Sequence, residues 1–260
     1  MASSAPRRGG VKDWSYAGLM TSITPLVVGD PDEVGERAAD VFADLIAVRP
    51  NAAVVVATGR TPMSAYARLA VRASAGLDVR ALRVFQLDEY VGVGPDDGRS
   101  LAGWMDRSFV EPLGIDPVTV VRLDGASDDL AEVCANYERA VRAAGGLDLA
   151  FLGLGPNGHL GFNEPPSDPT SRTRTVDLTV ASVASNESYW GSGRVPPRAI
   201  TAGMDVLLGA TCVVLVVTGE HKREIMRRTL RERPTPSVPA SFLQHHSDVR
   251  VIADRAAWDA

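Results

Sequence analysis

The chain has 260 residues, 45% of them hydrophobic and 23% charged, with a formal net charge of −5. That length buries a substantial core in one large domain or two small ones. The acidic balance excludes a basic nucleic-acid-binding surface, no apolar run approaches the ~20 residues of a membrane span, and Cys134 and Cys212 lack the spacing of a metal site.

Residues 1–22 are small, polar and basic, without the apolar stretch of a secretory signal. They are expected to form a mobile extension ahead of a single domain over residues 23–260, in a cytoplasmic protein. Residues 24–28 read as the first strand. Asp30-Pro31-Asp32-Glu33 reads as a helix start: Asp30 caps, Pro31 suits the first turn and Glu33 reaches back. Val34, Ala38, Val41, Phe42, Leu45 and Ile46 follow at helical spacing. Residues 52–57 are continuously apolar, as in a strand buried on both faces. A turn and a helix through Tyr66 and Leu69 come next, then a strand over 83–87, a helical stretch over 100–113 and a strand over 118–123.

Ser127 is expected to cap a long helix, with Asp128 and Asp129 in its first turn and Tyr137 and Val141 on its buried face. Residues 147–154 form another apolar strand. Residues 167–195 have weak periodicity and many small residues, and read as a mobile lid. A short helix over 204–208, a buried strand over 211–218, a helix over 220–230 and a strand over 248–253 complete the chain. Alternating strands and helices predict an α/β fold with a mostly parallel sheet covered on both faces.

Polar groups collect at the ends of four apolar strands, where open α/β sheets bind ligands. After residues 52–57 comes Thr58-Gly59-Arg60-Thr61-Pro62. A helix start offers free N–H groups to an anion, and Arg60 adds a fork of donors suited to phosphate. A plain turn with Thr61 as N-cap is the other reading. After 83–87 come Asp88 and Glu89. A carboxylate at a partly dry strand tip can act as a general base, or it can be a solvated loop acid. The strand 147–154 runs into Asn157, His159, Asn163 and Glu164, an acid/base pair or a structural imidazole with its partners. After 211–218, Lys222 stands near a helix start, where the dipole disfavours a cation unless an anion is shared there.

TGRTPMSAY, FQLDEYVG, LGLGPNGHLGFNEP, SRTR, AITAGMDVLLGA, TGEHK and VPASFLQHH occur in this order. Over about residues 25–255 the chain resembles the glucosamine-6-phosphate deaminases. The related 6-phosphogluconolactonases share the fold but carry different motifs at LDEY and NGHLGFNEP. The resemblance implies a Rossmann-like three-layer α/β/α fold, no metal and no other cofactor. The implied ligand is a small-molecule sugar phosphate, without nucleic-acid or membrane partners. Family members differ in oligomeric state, so a homo-oligomer stays open.

The implied chemistry assigns His159 to ring opening, with Asn157 and Glu164 positioning it. Asp88 takes the C2 proton of the open-chain sugar and returns a proton at C1, giving an imine that loses ammonia to water. Thr58, Gly59, Arg60, Thr61, Glu89 and Lys222 form the substrate- and phosphate-binding set.

The chain also departs from the family pattern. An arginine expected in the lid run is Val183 in SVASNESYW, and the first loop reads TGRTP. Arg60 is thus a candidate replacement for the lost lid charge. Val176 stands where allosteric members carry a lysine. Asn157 stands where some relatives have an aspartate and others the same asparagine. The rim after LDEY differs, with Trp104 and Trp190 in altered segments. The expected function is glucosamine-6-phosphate deamination. Dehydration of the N-acetylated sugar phosphate, isomerisation of another sugar phosphate and a non-catalytic sensor are the alternatives.

Overall fold

The structure, a computed structural model, describes residues 21–191 and 194–258. The expected N-terminal extension lies mostly outside the described residues. Thr21 donates through its backbone N–H and its hydroxyl to the Gln244 carbonyl, both at 2.9 Å, and Ile23, the first residue of the expected domain, is buried.

The strands are β1 (Leu26–Val28), β2 (Ala53–Val56), β3 (Arg83–Gln86), β4 (Asp88–Tyr90), β5 (Val120–Val121), β6 (Leu149–Gly153), β7 (Arg174–Asp177), β8 (Arg198–Thr201), β9 (Cys212–Val217) and β10 (Val249–Asp254). The helices are α1 (Pro31–Val48), α2 (Met63–Ser74), α3 (Leu101–Met105), α4 (Glu111–Leu113), α5 (Leu130–Ala143), α6 (Val180–Trp190), α7 (Met204–Leu208) and α8 (Arg223–Arg231). A π-helical stretch, Asp106–Val110, joins α3 to α4.

Seven strands form an all-parallel sheet in the order β1-β10-β9-β6-β2-β3-β5. The chain builds from β2 outward to β5, then returns to β6 and builds the other way through β9 to β10. Strand order therefore reverses between β2 and β6, and a crevice opens at their carboxyl ends.

Alternation along each strand feeds two separate cores. Val54, Val56, Phe151, Val214 and Val216 face α1 and α2; Val55, Ala150, Leu152, Val213 and Leu215 face α5, α7 and α8. On the first face Phe42, Tyr66, Phe109 and Phe151 pack as an aromatic cluster, with Phe42 and Phe151 centroids 4.9 Å apart. The expected three-layer α/β/α arrangement is what the chain adopts.

The N-terminus of α1 follows the expected chemistry. Asp30 Oδ1 accepts from the Glu33 N–H at 2.9 Å, and Glu33 Oε2 accepts from the Gly29 N–H at 2.6 Å. Two local expectations are corrected. Asp129, not Ser127, caps α5 and accepts from Glu132, because Ser127 is used one step earlier to hold the Asp129 N–H. The segment expected to be a mobile lid, residues 167–195, contains β7 and α6 among its described residues, where edge pairing with β8 and capping by Thr179 supply what periodicity lacks.

A second sheet, β4-β8-β7, is antiparallel and sits above the crevice. Tyr90, Phe162, Trp190 and Ala199 form a small core over it, with Val183 packed against that core.

Candidate active site

The crevice opens into a cleft of about 810 Å³. Thr58, Gly59, Arg60, Thr61, Asp88, His159, Thr218 and Lys222 all line it, so groups separated by up to 164 residues in sequence share one space.

Apolar β2 is buried along its whole length and ends against this space. Gly59 turns the chain with φ +107°, a conformation that L side chains rarely adopt, and nothing crowds its missing side chain. Thr61 does not cap α2, whose start has no side-chain cap. Its hydroxyl lies 3.3 Å from that of Thr218, tying the loop after β2 to the loop after β9. Arg60 is exposed on the cleft wall. Lys222 ends a short 3-10 turn, Glu220–Lys222, just before α8. Burial lowers its pKa to about 8, and among the described residues no carboxylate is paired with it. Asp254 fixes this loop by accepting from the Gly219 N–H with both oxygens at 3.0 Å.

Asp88 is buried, and no hydrogen bond reaches its carboxylate from the described residues. Burial, with a smaller contribution from the charge of Glu89, raises its pKa to about 8. A carboxylate kept dry and unpaired is a strong base held ready for a proton. Tyr137 lies beneath the site on α5. Its buried hydroxyl has no hydrogen-bond partner among the described residues, and burial and the nearby Asp88 charge push its pKa upward.

Glu89 requires a correction. It is not among the residues lining the cleft. Successive side chains of a strand point to opposite faces, so Asp88 and Tyr90 meet the cleft while Glu89 turns away. Its Oε1 accepts from the Tyr90 and Leu101 N–H groups, and its Oε2 from Ala102 N–H and Gln86 Nε2, at 2.8 to 3.1 Å. Every lone-pair site is thus taken, which leaves no place for substrate.

His159, Asn157 and Glu164 are brought together as expected. Asn157 Nδ2 donates to Glu164 Oε2 at 2.6 Å, and Asn157 Oδ1 accepts the His159 N–H at 3.2 Å. His159 Nδ1 lies 3.5 Å from Glu164 Oε2, close enough for charge attraction but outside hydrogen-bond geometry. Burial would raise the Glu164 pKa, but the nearby His159, with Ser182 and Asn157, outweighs it and holds the group down at about 2. Glu164 is therefore an anion beside an imidazole that lines the cleft. Gly155 is required here: a Cβ at this position would sit 2.1 Å from the His159 ring.

Asp88 and His159 do not sit on adjacent strands, as β2 runs between β3 and β6. The second sheet bridges them instead. Asp88 pairs with Thr201, the Thr201 hydroxyl accepts the Phe162 N–H at 3.1 Å, and Asn163 Nδ2 donates to the Ala202 carbonyl at 2.9 Å. Thr201 and Thr218 were within recognised motifs but not among the expected site residues. Their part is to bind one loop to another, which no local pattern signals.

Trp104, Trp190, Arg99 and Arg107 complete the rim. Arg99 stacks 4.8 Å from the Trp190 ring centroid and is held by Asp97. Val183 belongs to the apolar packing under this rim. Among the described residues no cluster of His, Cys, Asp and Glu could hold a metal ion, and no helix is long and apolar enough to cross a membrane.

A family model described as glucosamine-6-phosphate isomerases/6-phosphogluconolactonase matches residues 31–252. The glucosamine-6-phosphate deaminase of Cutibacterium acnes is 40% identical over 234 residues, covering 89% of this chain and 90% of that protein. The enzyme of the same name from Rhodopirellula baltica is 39% identical over 233 residues, covering 89% and 93%. Among solved structures, one described as a monomeric glucosamine-6-phosphate deaminase superposes with TM-score 0.88 at 34% identity, over 90% of this chain and 98% of that one. The 6-phosphogluconolactonase of Leishmania guyanensis superposes with TM-score 0.73 at 20% identity, over 92% and 99%, a likeness of fold.

Proposed function

The chain belongs to the glucosamine-6-phosphate isomerase/6-phosphogluconolactonase family, and on that premise we propose that it is a glucosamine-6-phosphate deaminase, releasing fructose-6-phosphate and ammonia. The observation that carries this reading is the dry, unpaired Asp88 sharing a cleft with the His159–Glu164–Asn157 set. A lactone hydrolysis has no need of a base tuned for a carbon acid. Deamination does, because the C2 proton must be removed next to a carbonyl.

His159, beside anionic Glu164, passes a proton between the ring oxygen and the C1 hydroxyl to open the pyranose. Asp88 then takes the proton from C2 and delivers one to C1, converting the 2-amino aldose into the 2-imino ketose. Water adds to the imine carbon and ammonia leaves. The phosphate is gripped by the Thr58–Thr61 loop and Lys222. With Val183 in place of a lid cation, Arg60 supplies a second positive charge, beside that of Lys222, from the loop after β2. Binding energy from that remote phosphate is what orients C2 against Asp88.

The reading is tested by incubating the protein with glucosamine-6-phosphate and, separately, with its N-acetyl form. Stoichiometric ammonia and fructose-6-phosphate from the first alone is the expected result. An ultraviolet-absorbing enal from the second, without ammonia from the first, overturns it.

A further inference from the structure

Glu89 is a buried acid that the proposed chemistry does not use, and its surroundings are unusual. All four of its hydrogen-bond partners are N–H donors: Tyr90, Leu101 and Ala102 from the backbone, and Gln86 from its side-chain amide. A protonated carboxyl needs an acceptor for its own O–H, and none is present among those partners. The site is built for the anion, although burial works in the opposite direction and raises the Glu89 pKa. Gln86 is itself fixed, its Oε1 accepting the Leu123 N–H and its Nε2 also donating to the Asp88 carbonyl. The carboxylate thus holds the Tyr90 N–H after Asp88 and, through the Gln86 side chain, the segment before it, and ties both to the start of α3, whose Leu101 and Trp104 line the cleft.

We infer that Glu89 is a positioning residue for Asp88: its fixed negative charge, one residue away on the opposite face of β4, keeps the Asp88 carboxylate basic and aimed into the cleft. The inference rests on the deaminase reading for its meaning in turnover, but not for its physical content. Two buried carboxylates on adjacent residues repel, and the only relief inside the protein is proton uptake by the one without donors, Asp88. Besides Glu89, Tyr137 from α5 acts on Asp88, and the ionisable residues that share its cleft are Tyr90, His159, His221, Lys222, Arg60, Arg99 and Arg107. The rise at Asp88 comes first from burial and then from the Glu89 charge.

The test is a carbon-13 carboxyl titration of the full-length protein, with the Asp88 resonance assigned by its loss in Asp88→Asn. In Glu89→Gln the Asp88 midpoint is expected to fall by about one pH unit, a tenfold change in ionised fraction on the acid side. The acid limb of kcat/KM with glucosamine-6-phosphate should move with it. An unmoved midpoint overturns the inference. Glu89→Asp, which keeps the charge on a shorter stem, provides the second variant: the midpoint should stay raised while kcat falls at unchanged KM, and a midpoint that drops as in Glu89→Gln overturns it equally. If the wild-type protein fails to turn over glucosamine-6-phosphate while the Glu89→Gln titration still shifts, the deaminase reading fails and the Glu89–Asp88 coupling stands.

Discussion

Asp88 and Thr201 are direct register partners in the antiparallel β4–β8 pair, and the Thr201 hydroxyl accepts the Phe162 N–H in the loop that carries His159 and Glu164. One buried threonine therefore ties the strand of Asp88 to the loop of His159, across strands that the main sheet keeps apart.

Thr201→Val keeps the shape and removes the acceptor, leaving the buried Phe162 N–H unpartnered. The expected cost is about 1–3 kcal/mol of unfolding free energy, measured by urea denaturation, together with a lower kcat. Stability and kcat both equal to wild type would show that the hydroxyl does not join the two loops.

Asp88→Asn should lower kcat by about 10²–10⁴ with little change in KM. The same substitution should stabilise the protein at alkaline pH. The Asp88 pKa is raised from 3.8 to about 8, so the native state holds this proton where the unfolded chain has lost it. Its contribution to stability is full below about pH 4 and is lost as pH rises through about 8. Melting curves at pH 5 and pH 9 should therefore show the Asn variant gaining on wild type at pH 9, by about 2–4 °C for each kcal/mol recovered. A constant difference between the two pH values contradicts this.

The pH profile of kcat/KM follows from two groups with displaced pKa values. Asp88 must lose its proton near pH 8 to act as a base, and Lys222 begins to lose its charge near the same pH. A narrow bell with its optimum close to pH 8 is expected. Lys222→Met should raise KM by about 10- to 100-fold, the worth of a charged hydrogen bond, and flatten the alkaline limb. An alkaline limb identical to wild type would assign it to another group.

Arg60→Ala tests the replacement of the missing lid charge. KM should rise by about tenfold or more, and kcat/KM should fall with it. Inorganic phosphate should lose inhibitory strength in parallel. Unchanged KM and unchanged phosphate inhibition would mean that Arg60 stands outside the phosphate grip.

Local chemistry made much of this fold legible in the sequence. The capped start of α1, the helical spacing of Val34 to Ile46 and the doubly buried runs of β2, β6 and β9 are written within a few residues of each other. The Asn157, His159 and Glu164 turn was equally legible, since its members lie within eight residues and bond to one another. Segments whose order depends on distant partners were not. β7 and β8 are short and have no clean alternation, and they become strands because each completes the other's hydrogen bonds.

The sequence by itself determined which residues stand at strand ends, and hence the membership of almost the whole site. Only the tertiary structure decided which way they point. Asp88 and Glu89 are chemically near-equivalent neighbours, yet pairing of β4 with β8 sends the first into the cleft, dry and unpartnered, and the second onto four N–H donors behind it. Period-two alternation makes neighbouring strand residues opposites, but which of the two meets the cleft is set by pairing across more than a hundred residues of chain.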